Sequence, residues 1–327
     1  MLNTPLPVWP WLQFLLSQQL PASLKKLRRL SQSMEDIAKW RKAGRIAAEI
    51  REYGKKQIKK GESLLETTKR IEEKVAASGA QLAFPVQMSC NEIAAHYYPG
   101  FDDKQVFAGQ LVCLDVGTHI DGCIGDTAVT VDLSGKYSDL IKAAEKALTD
   151  SLRIVKPGVK LTEIGKAIQD AITGMGFQPI RNLSGHGLAE YQIHTHPTVP
   201  NYNNGDQESL QEGQIIAVEP FATTGSGLIH EKGFPNLFMI SQPKNVRLGF
   251  VRDIQAKIQT WNGLPFAKNW LLSKWSEAQV NFALKQFKEL GILQEFPPLV
   301  ERSGGMVSQA EHTLIVGEKT EILTKAD

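Results

Sequence analysis

The chain has 327 residues, 42% hydrophobic and 22% charged, a balance that supports a packed core and excludes disordered, collagenous and coiled-coil classes. A net charge of +2 makes no global electrostatic claim on nucleic acid, and three cysteines (Cys90, Cys113, Cys123) are too few for a disulfide framework. The apolar stretch Val8–Leu16 contains Pro10, is too short to span a bilayer, and has no basic residue ahead of it to make a signal peptide, so a soluble cytoplasmic protein without a membrane partner is expected.

Residues 1–33 differ in character from the rest of the chain. They hold Pro5, Pro7, Pro10 and Pro21, two tryptophans and the basic cluster Lys25-Lys26-Leu27-Arg28-Arg29. Three readings stay open for this extension: an amphipathic targeting or partner segment, a poorly ordered tail, or sequence upstream of a true start at Met34. Regular structure is expected from about Met34, where Ile37, Trp40, Ile46 and Ile50 recur at helical spacing. A second helix should open at the capping box Ser63-Leu64-Leu65-Glu66 and stop at Gly79.

The chain repeats itself. Gly61–Gln81 aligns without gaps on Gly158–Gln178, matching Gly61 with Gly158, Leu64 with Leu161, Glu66 with Glu163, Ile71 with Ile168 and Gly79 with Gly176. The echo continues in His96-Tyr-Tyr-Pro99 and His194-Thr-His-Pro197. It continues again in Gly109-Gln-Leu-Val-Cys-Leu-Asp115 and Gly213-Gln-Ile-Ile-Ala-Val-Glu219. Each half reads as two helices, a His-x-x-Pro element and a strand ending in a carboxylate. An internal duplication with pseudo-twofold symmetry brings Asp115 and Glu219 towards one centre.

Leu111–Gly117 and Cys123–Val131 read as strands joined at Asp121-Gly122. A hairpin centred at Ile120/Asp121 sets Asp115 opposite Asp126, with Cβ atoms ~5 Å apart. Two carboxylates closing on one face repel, which protonation or a bound dication relieves; a surface acid pair beside a turn is the plainer alternative. Leu183-Ser-Gly-His186-Gly presents an imidazole between glycines. Glu219 ends the apolar strand Ile215–Val218, and Glu311 opens Glu311–Val316, so Glu219 and Glu311 form a second half-site mirroring the first. Four carboxylates and one histidine make a dinuclear, oxygen-rich metal site.

The runs Phe84-Pro-Val and Asn91-Glu-Ile-Ala-Ala-His96-Tyr-Tyr-Pro99, the Asp115/Asp126 pair, Ser184-Gly-His186-Gly, Glu219-Pro-Phe-Ala and Ala310-Glu311-His-Thr resemble type II methionine aminopeptidases in their compact archaeal form. The resemblance covers about Met34 to the C-terminus. It implies the α+β pita-bread fold, a pseudo-twofold curved antiparallel sheet covered by helices, over residues 34–327. It also implies a small helical, winged-helix-like insert at 250–305. A DNA-binding wing is the rival reading of that insert, but the stretch is rich in Trp, Leu and Phe and has no dense basic face, so no DNA partner is expected.

By the same resemblance, Asp115 chelates one divalent ion, His186 and Glu219 bind a second, and Asp126 and Glu311 bridge both; Co, Mn, Fe and Zn all suit these donors. A metal-bridged hydroxide would attack the first peptide bond, with Glu219 as proton acceptor and His96 and His194 flanking the scissile group. Phe84, Ile193 and Phe296 match the methionine pocket. The implied activity is removal of the N-terminal methionine from nascent polypeptides by a monomer, with the ribosome as a partner. His196 and His312 read as supporting residues. Two alternatives remain: an X-Pro peptidase of the same fold (a prolidase or aminopeptidase P), and a pita-bread binding protein without metals.

Overall fold

The computed structural model describes residues 22–326, with side chains from Glu35 onward. Residues 1–21 of the N-terminal extension, and the side chains of residues 22–34, therefore lie outside the described residues. The first helix, α1 (Ala22–Gln57), begins well before Met34. Nothing between Pro21 and Met34 breaks a helix: residues 22–33 contain neither Gly nor Pro and are rich in Leu, Lys and Arg. From Trp40 on, α1 buries Trp40, Ala43, Ile46, Ala47 and Ile50.

The remaining elements run in chain order. α2 (Leu64–Ala77) leads into β1 (Gln81–Leu82), β2 (Gln87–Cys90), β3 (Ile93–Ala95) and the long hairpin β4 (Leu111–Ile120) and β5 (Cys123–Asp132). Two helices, α3 (Ser138–Leu152) and α4 (Leu161–Gly174), precede β6 (Gln178–Pro179), β7 (Ser184–Ala189), β8 (Gln192–Pro200), β9 (Ile215–Val218), β10 (Phe221–Thr223), β11 (Ile229–Glu231) and β12 (Leu237–Ile240). Then come α5 (Gly249–Gln259), β13 (Phe266–Ala267), α6 (Lys268–Leu272), α7 (Glu277–Glu289), β14 (Leu293–Phe296), β15 (Leu299–Glu301), β16 (Val307–Gln309), β17 (His312–Ile315) and β18 (Glu321–Ile322). The described strand pairings are antiparallel. No helix among the described residues is long and apolar enough to cross a membrane.

The duplication is written into the backbone. α2 and α4 have the same 14-residue length and the positions that align in sequence. Gly61 N–H donates to Phe107 O and Gly158 N–H to Leu210 O; Leu64 N–H donates to Gln105 O and Leu161 N–H to Glu208 O. Gly61 and Gly158 both sit at left-handed φ, +89° and +87°, which only glycine adopts at little cost. Two helices cover each half-sheet: Ile46, Ile50, Ile71 and Val75 pack on Val112, Leu114 and Val116 of β4, while Leu140, Ala144, Ile164 and Ile168 pack on Ile216 and Val218 of β9. Of the capping box at Ser63, one arm forms: Ser63 Oγ accepts from Glu66 N at 3.3 Å, but the Glu66 carboxylate turns to Lys69 at 2.8 Å.

The hairpin register corrects one expectation. Asp121 and Gly122 both take left-handed φ (+49° and +89°), so they form a two-residue turn flanked by the pair Ile120–Cys123. Gly117 then faces Asp126, and Asp115 faces Ala128. Asp115 and Asp126 are diagonal neighbours on one sheet face, not directly opposed. In the second half β9 and β17 pair His312 with Val218, and Glu219 and Glu311 are the next positions on these strands.

Residues from Phe238 to Phe296 form a module: its core, including Ile254, Ile258, Phe266, Val280 and Phe287, runs from Phe238 to Ile292, and β14 joins it by pairing with β12. The sequence expectation set an insert at 250–305. The module's core draws in Phe238 and Ile240 on β12, whereas β15 pairs with β11 and β3 of the main body.

Candidate metal centre

β4, β5, β7, β9 and the start of β17 converge on a cavity of about 550 Å³. Asp115, Asp126, His186, Glu219 and Glu311 line its floor. One ligating atom each from Asp126, His186 and Glu311 falls within 4.8 Å of the others, and all three residues are buried. His186 Nε2 lies 3.5 Å from Glu219 Oε1 and 3.7 Å from Asp126 Oδ2. Its other ring nitrogen, Nδ1, lies 3.3 Å from Gly187 O, a contact that assigns the proton to Nδ1 and leaves the Nε2 lone pair facing the acids. The flanking glycines serve the neighbouring strands: a Cβ at Gly185 would stand 2.3 Å from Ala217 O, and one at Gly187 would stand 2.2 Å from His196 O.

The two half-sites are cross-linked. Asp126 N–H donates to Thr313 Oγ1 at 2.8 Å, and the same hydroxyl donates back to Asp126 O at 2.8 Å. Thr127 Oγ1 donates to Glu311 O at 2.8 Å, and Glu311 N–H donates to Ala128 O at 3.2 Å. Gln309 Nε2 donates to Glu219 Oε2 at 3.2 Å.

Burial raises the Asp115 carboxyl to about 7. Burial, then the charges of Asp115 and Glu219, drives Asp126 well above the carboxylate range; burial, then Asp126, Glu219 and Asp115, does the same to Glu311, against the opposing charge of Arg51. Glu219 is raised by burial and by Asp115. Four acids that resist ionising together are unstable as a protein-only arrangement and suited to divalent cations. Asp115 Oδ1, Asp126 Oδ1 and Glu311 Oε2 are buried without a hydrogen-bond partner, which is what carboxylate oxygens reserved for a metal look like. The donor set, oxygens with one neutral imidazole, fits a divalent transition metal.

His96 and His194 stand at the cavity wall, as do Phe84, Ile193 and Phe296. The rings of His186 and His194 meet edge to face at 4.4 Å, and those of His96 and Phe296 at 5.4 Å. Burial, reinforced by the neighbouring His194, pushes His96 down to about 4 and His186 to about 3; burial also lowers His194. All three imidazoles are therefore neutral at pH 7. His196 is exposed and contacts Glu208, and His312 hydrogen-bonds Thr324. His119 accepts from Gly122 N–H at 3.1 Å inside the turn.

Sequence reasoning missed Gln87. It lines the cavity, pairs with Asp115 across β2–β4, and its Oε1 accepts from His96 N–H at 2.5 Å, which holds His96 at φ +64°. The available signal was a lone polar residue in the apolar run Phe84–Met88.

The family model for metallopeptidase family M24 matches residues 38–252. The chain belongs to metallopeptidase family M24. It is 41% identical over 292 residues to a methionine aminopeptidase of Pyrococcus horikoshii, covering 88% of this chain and 99% of that one. It is 42% identical over 276 residues to the methionine aminopeptidase of Archaeoglobus fulgidus, covering 84% and 93%. Its fold is similar to the crystal structure of methionine aminopeptidase from Thermotoga maritima, with a TM-score of 0.66, 23% identity, and coverage of 89% and 97%. This M24 chain thus has the expected pita-bread fold, and its buried Asp/His/Glu cluster lies where the duplicated halves meet.

Proposed function

We propose that this chain is a metal-dependent aminopeptidase that removes the N-terminal methionine of polypeptides. The observation that carries the reading is one cavity with four acids and His186 on its floor, Asp126 and Glu311 buried and Asp115 and Glu219 partly so, and an apolar slot, Phe84, Ile193 and Phe296, in its wall. That slot suits an unbranched thioether side chain. Asp115 would hold one divalent ion, His186 and Glu219 the other, with Asp126 and Glu311 shared between them. When bound, two such ions, of Mn, Fe, Co or Zn, neutralise the four carboxylates and supply the Lewis acidity that peptide hydrolysis needs near neutral pH.

The chain's own groups do the rest. Glu219, steadied by Gln309, accepts the proton of the attacking water. His96 and His194, neutral by burial, offer N–H donors to the oxygen that gains charge as the carbonyl turns tetrahedral. Gln87 fixes the His96 main chain, so the donor is placed before substrate arrives. Nascent polypeptides leaving the ribosome in the cytoplasm are the substrate source in this reading, and a monomer is the working form.

The test is release of free methionine from Met-Ala-Ser by the metal-stripped full-length chain, resupplied with Mn or Co, and by a version starting at Met34. Metal-dependent release supports the reading. Cleavage of Ala-Pro peptides instead would transfer it to an X-Pro peptidase, and failure to bind metal would leave a binding protein of the same fold.

A further inference from the structure

Outside the cavity, one partly buried carboxyl has no place in the hydrolytic chemistry. Glu72, on α2, accepts three hydrogen bonds, all from neutral donors. Oε1 takes Val86 N–H at 3.3 Å; Oε2 takes the Tyr98 hydroxyl at 3.2 Å and Trp270 Nε1–H at 3.0 Å. The enclosure is close enough that desolvation lifts this carboxyl to about 7.

The three donors come from three separate segments, and each segment carries a wall of the substrate slot. Val86 lies two residues after Phe84. Tyr98 lies two residues after His96. Trp270 lies on α6 of the inserted module, whose β14 ends at Phe296. The link from Trp270 to Phe296 is short: Tyr98, Leu237 and Ala267 form one buried cluster on which Trp270 and Phe296 pack, and Leu237 pairs with both Ala267 and Phe296. Two amides of the same region complete the joint, Asn236 Nδ2 donating to Tyr98 O at 2.9 Å and Asn269 Nδ2 to Pro99 O at 3.0 Å.

We propose that Glu72 is a positioning residue that ties the Phe84 segment, the His96 loop and the Phe296-bearing module together, and so sets how tightly the slot grips the first side chain of the substrate. The inference rests on the aminopeptidase reading. In its ionised form, which three converging donors favour over the neutral acid, the carboxylate is the right group because it only accepts. An amide of the same size must turn an NH2 towards at least one of the three donors, so one contact becomes a clash of hydrogens. The described hydrogen bonds of Glu72 run to Val86, Tyr98 and Trp270 and to no residue of the proposed metal floor, so weakening this joint loosens the slot and leaves the chemistry in place.

The experiment compares wild type, Glu72→Gln, Trp270→Phe and the double variant, all metal-loaded. It measures kcat and KM on Met-Ala-Ser and Leu-Ala-Ser, metal content, and hydrogen exchange of the amides in segments 96–99 and 268–272. Glu72→Gln should raise KM for Met-Ala-Ser about tenfold, since a lost hydrogen bond to a charged group is worth ~1.5 kcal/mol. It should narrow the Met/Leu preference, hold kcat within about twofold, keep its metal, and speed exchange in both segments. Trp270→Phe should shift the same way, less far, and the double variant should be no worse than Glu72→Gln, because the two remove one shared contact. Unchanged exchange in Glu72→Gln overturns the joint. Faster exchange with an unchanged KM and Met/Leu ratio overturns its role in the slot, as does a fall in kcat at constant KM. If wild type releases no methionine, the aminopeptidase reading fails, and exchange alone decides whether Glu72 ties the segments.

Discussion

Gly117 faces Asp126 across the β4–β5 ladder, and the space a side chain would take there is filled by the ring of Phe84: a Cβ on Gly117 would lie 2.1 Å from Phe84 Cε1. The missing side chain next to one acid of the cluster is thus what admits the Phe84 ring to the cavity wall. Gly117→Ala should destabilise the fold by ~1–3 kcal/mol through overpacking and raise KM for methionyl peptides. Denaturant unfolding and steady-state kinetics check this. Adding Phe84→Leu should recover part of the stability and none of the affinity.

Asp126 is buried, reaches the cluster through His186 and Glu311, and is clamped by Thr313 on both sides of its backbone. Asp126→Asn keeps the shape and removes the charge. Metal analysis and methionine release should both fall to background; a variant that keeps its metal and turns over normally would sink the assignment of Asp126 as a shared ligand.

Removing metal should lower the melting temperature, because the four acids are left facing one another. The remaining stability should then depend on pH in a definite direction. The folded Asp115 carboxyl sits at about 7, above its unfolded value near 4, and the other three acids are raised as well. Between those values the acids hold more protons folded than unfolded. Below about pH 6.5 the buried imidazoles of His96, His186 and His194, which bind fewer protons folded than unfolded, oppose this; above it they are neutral in both states and the acids act alone, so stability of the metal-free protein falls as pH rises above about 6.5. Calorimetry on stripped protein should show this slope, and saturating metal should flatten it. A stripped protein that melts at the same temperature throughout would count against the clustered acids.

Glu301 behaves in the opposite sense. Burial pushes its carboxyl up, but donors from Ser226, Ser303 and Gly305 outweigh that and bring it to about 2. A lowered folded value contributes stability that is present above the unfolded value near 4.5 and is lost as pH falls towards 2. The stability gap between wild type and Glu301→Gln should therefore be full at pH 5–7 and close below pH 4.5, as read from urea midpoints at each pH.

The duplication, the strand ends at Glu219 and Glu311, and the residues gathered in the cavity were legible because each repeats or interrupts a pattern. Asp115 and Glu219 stand out as charges at the ends of apolar strands, and Gly61 and Gly158 recur at one backbone conformation. The pairing of Asp115 with Asp126 was misread by two residues along β5, since register depends on turn geometry, and Asp121 at positive φ leaves little trace in composition. The start of α1 was placed late because the sequence reading relied on apolar spacing, whereas residues 22–33 have helix-forming composition instead. Gln87 and Glu72 escaped for a third reason. Their partners, His96, Tyr98 and Trp270, lie up to 198 positions away, and no local rule reports such a contact.

The Phe296 wall is carried by a module whose buried cluster shares no residue with the clusters under β4 and β9. Selection can therefore reshape one wall of the proposed substrate slot by altering one stretch of chain, while the stretches that hold the acids stay constant. In the proposed reading only the Phe296 side of the slot is free to vary in this way, because Phe84 and Ile193 are packed in the main body, so a lineage that needed a different first residue could acquire part of that change by drift in the module.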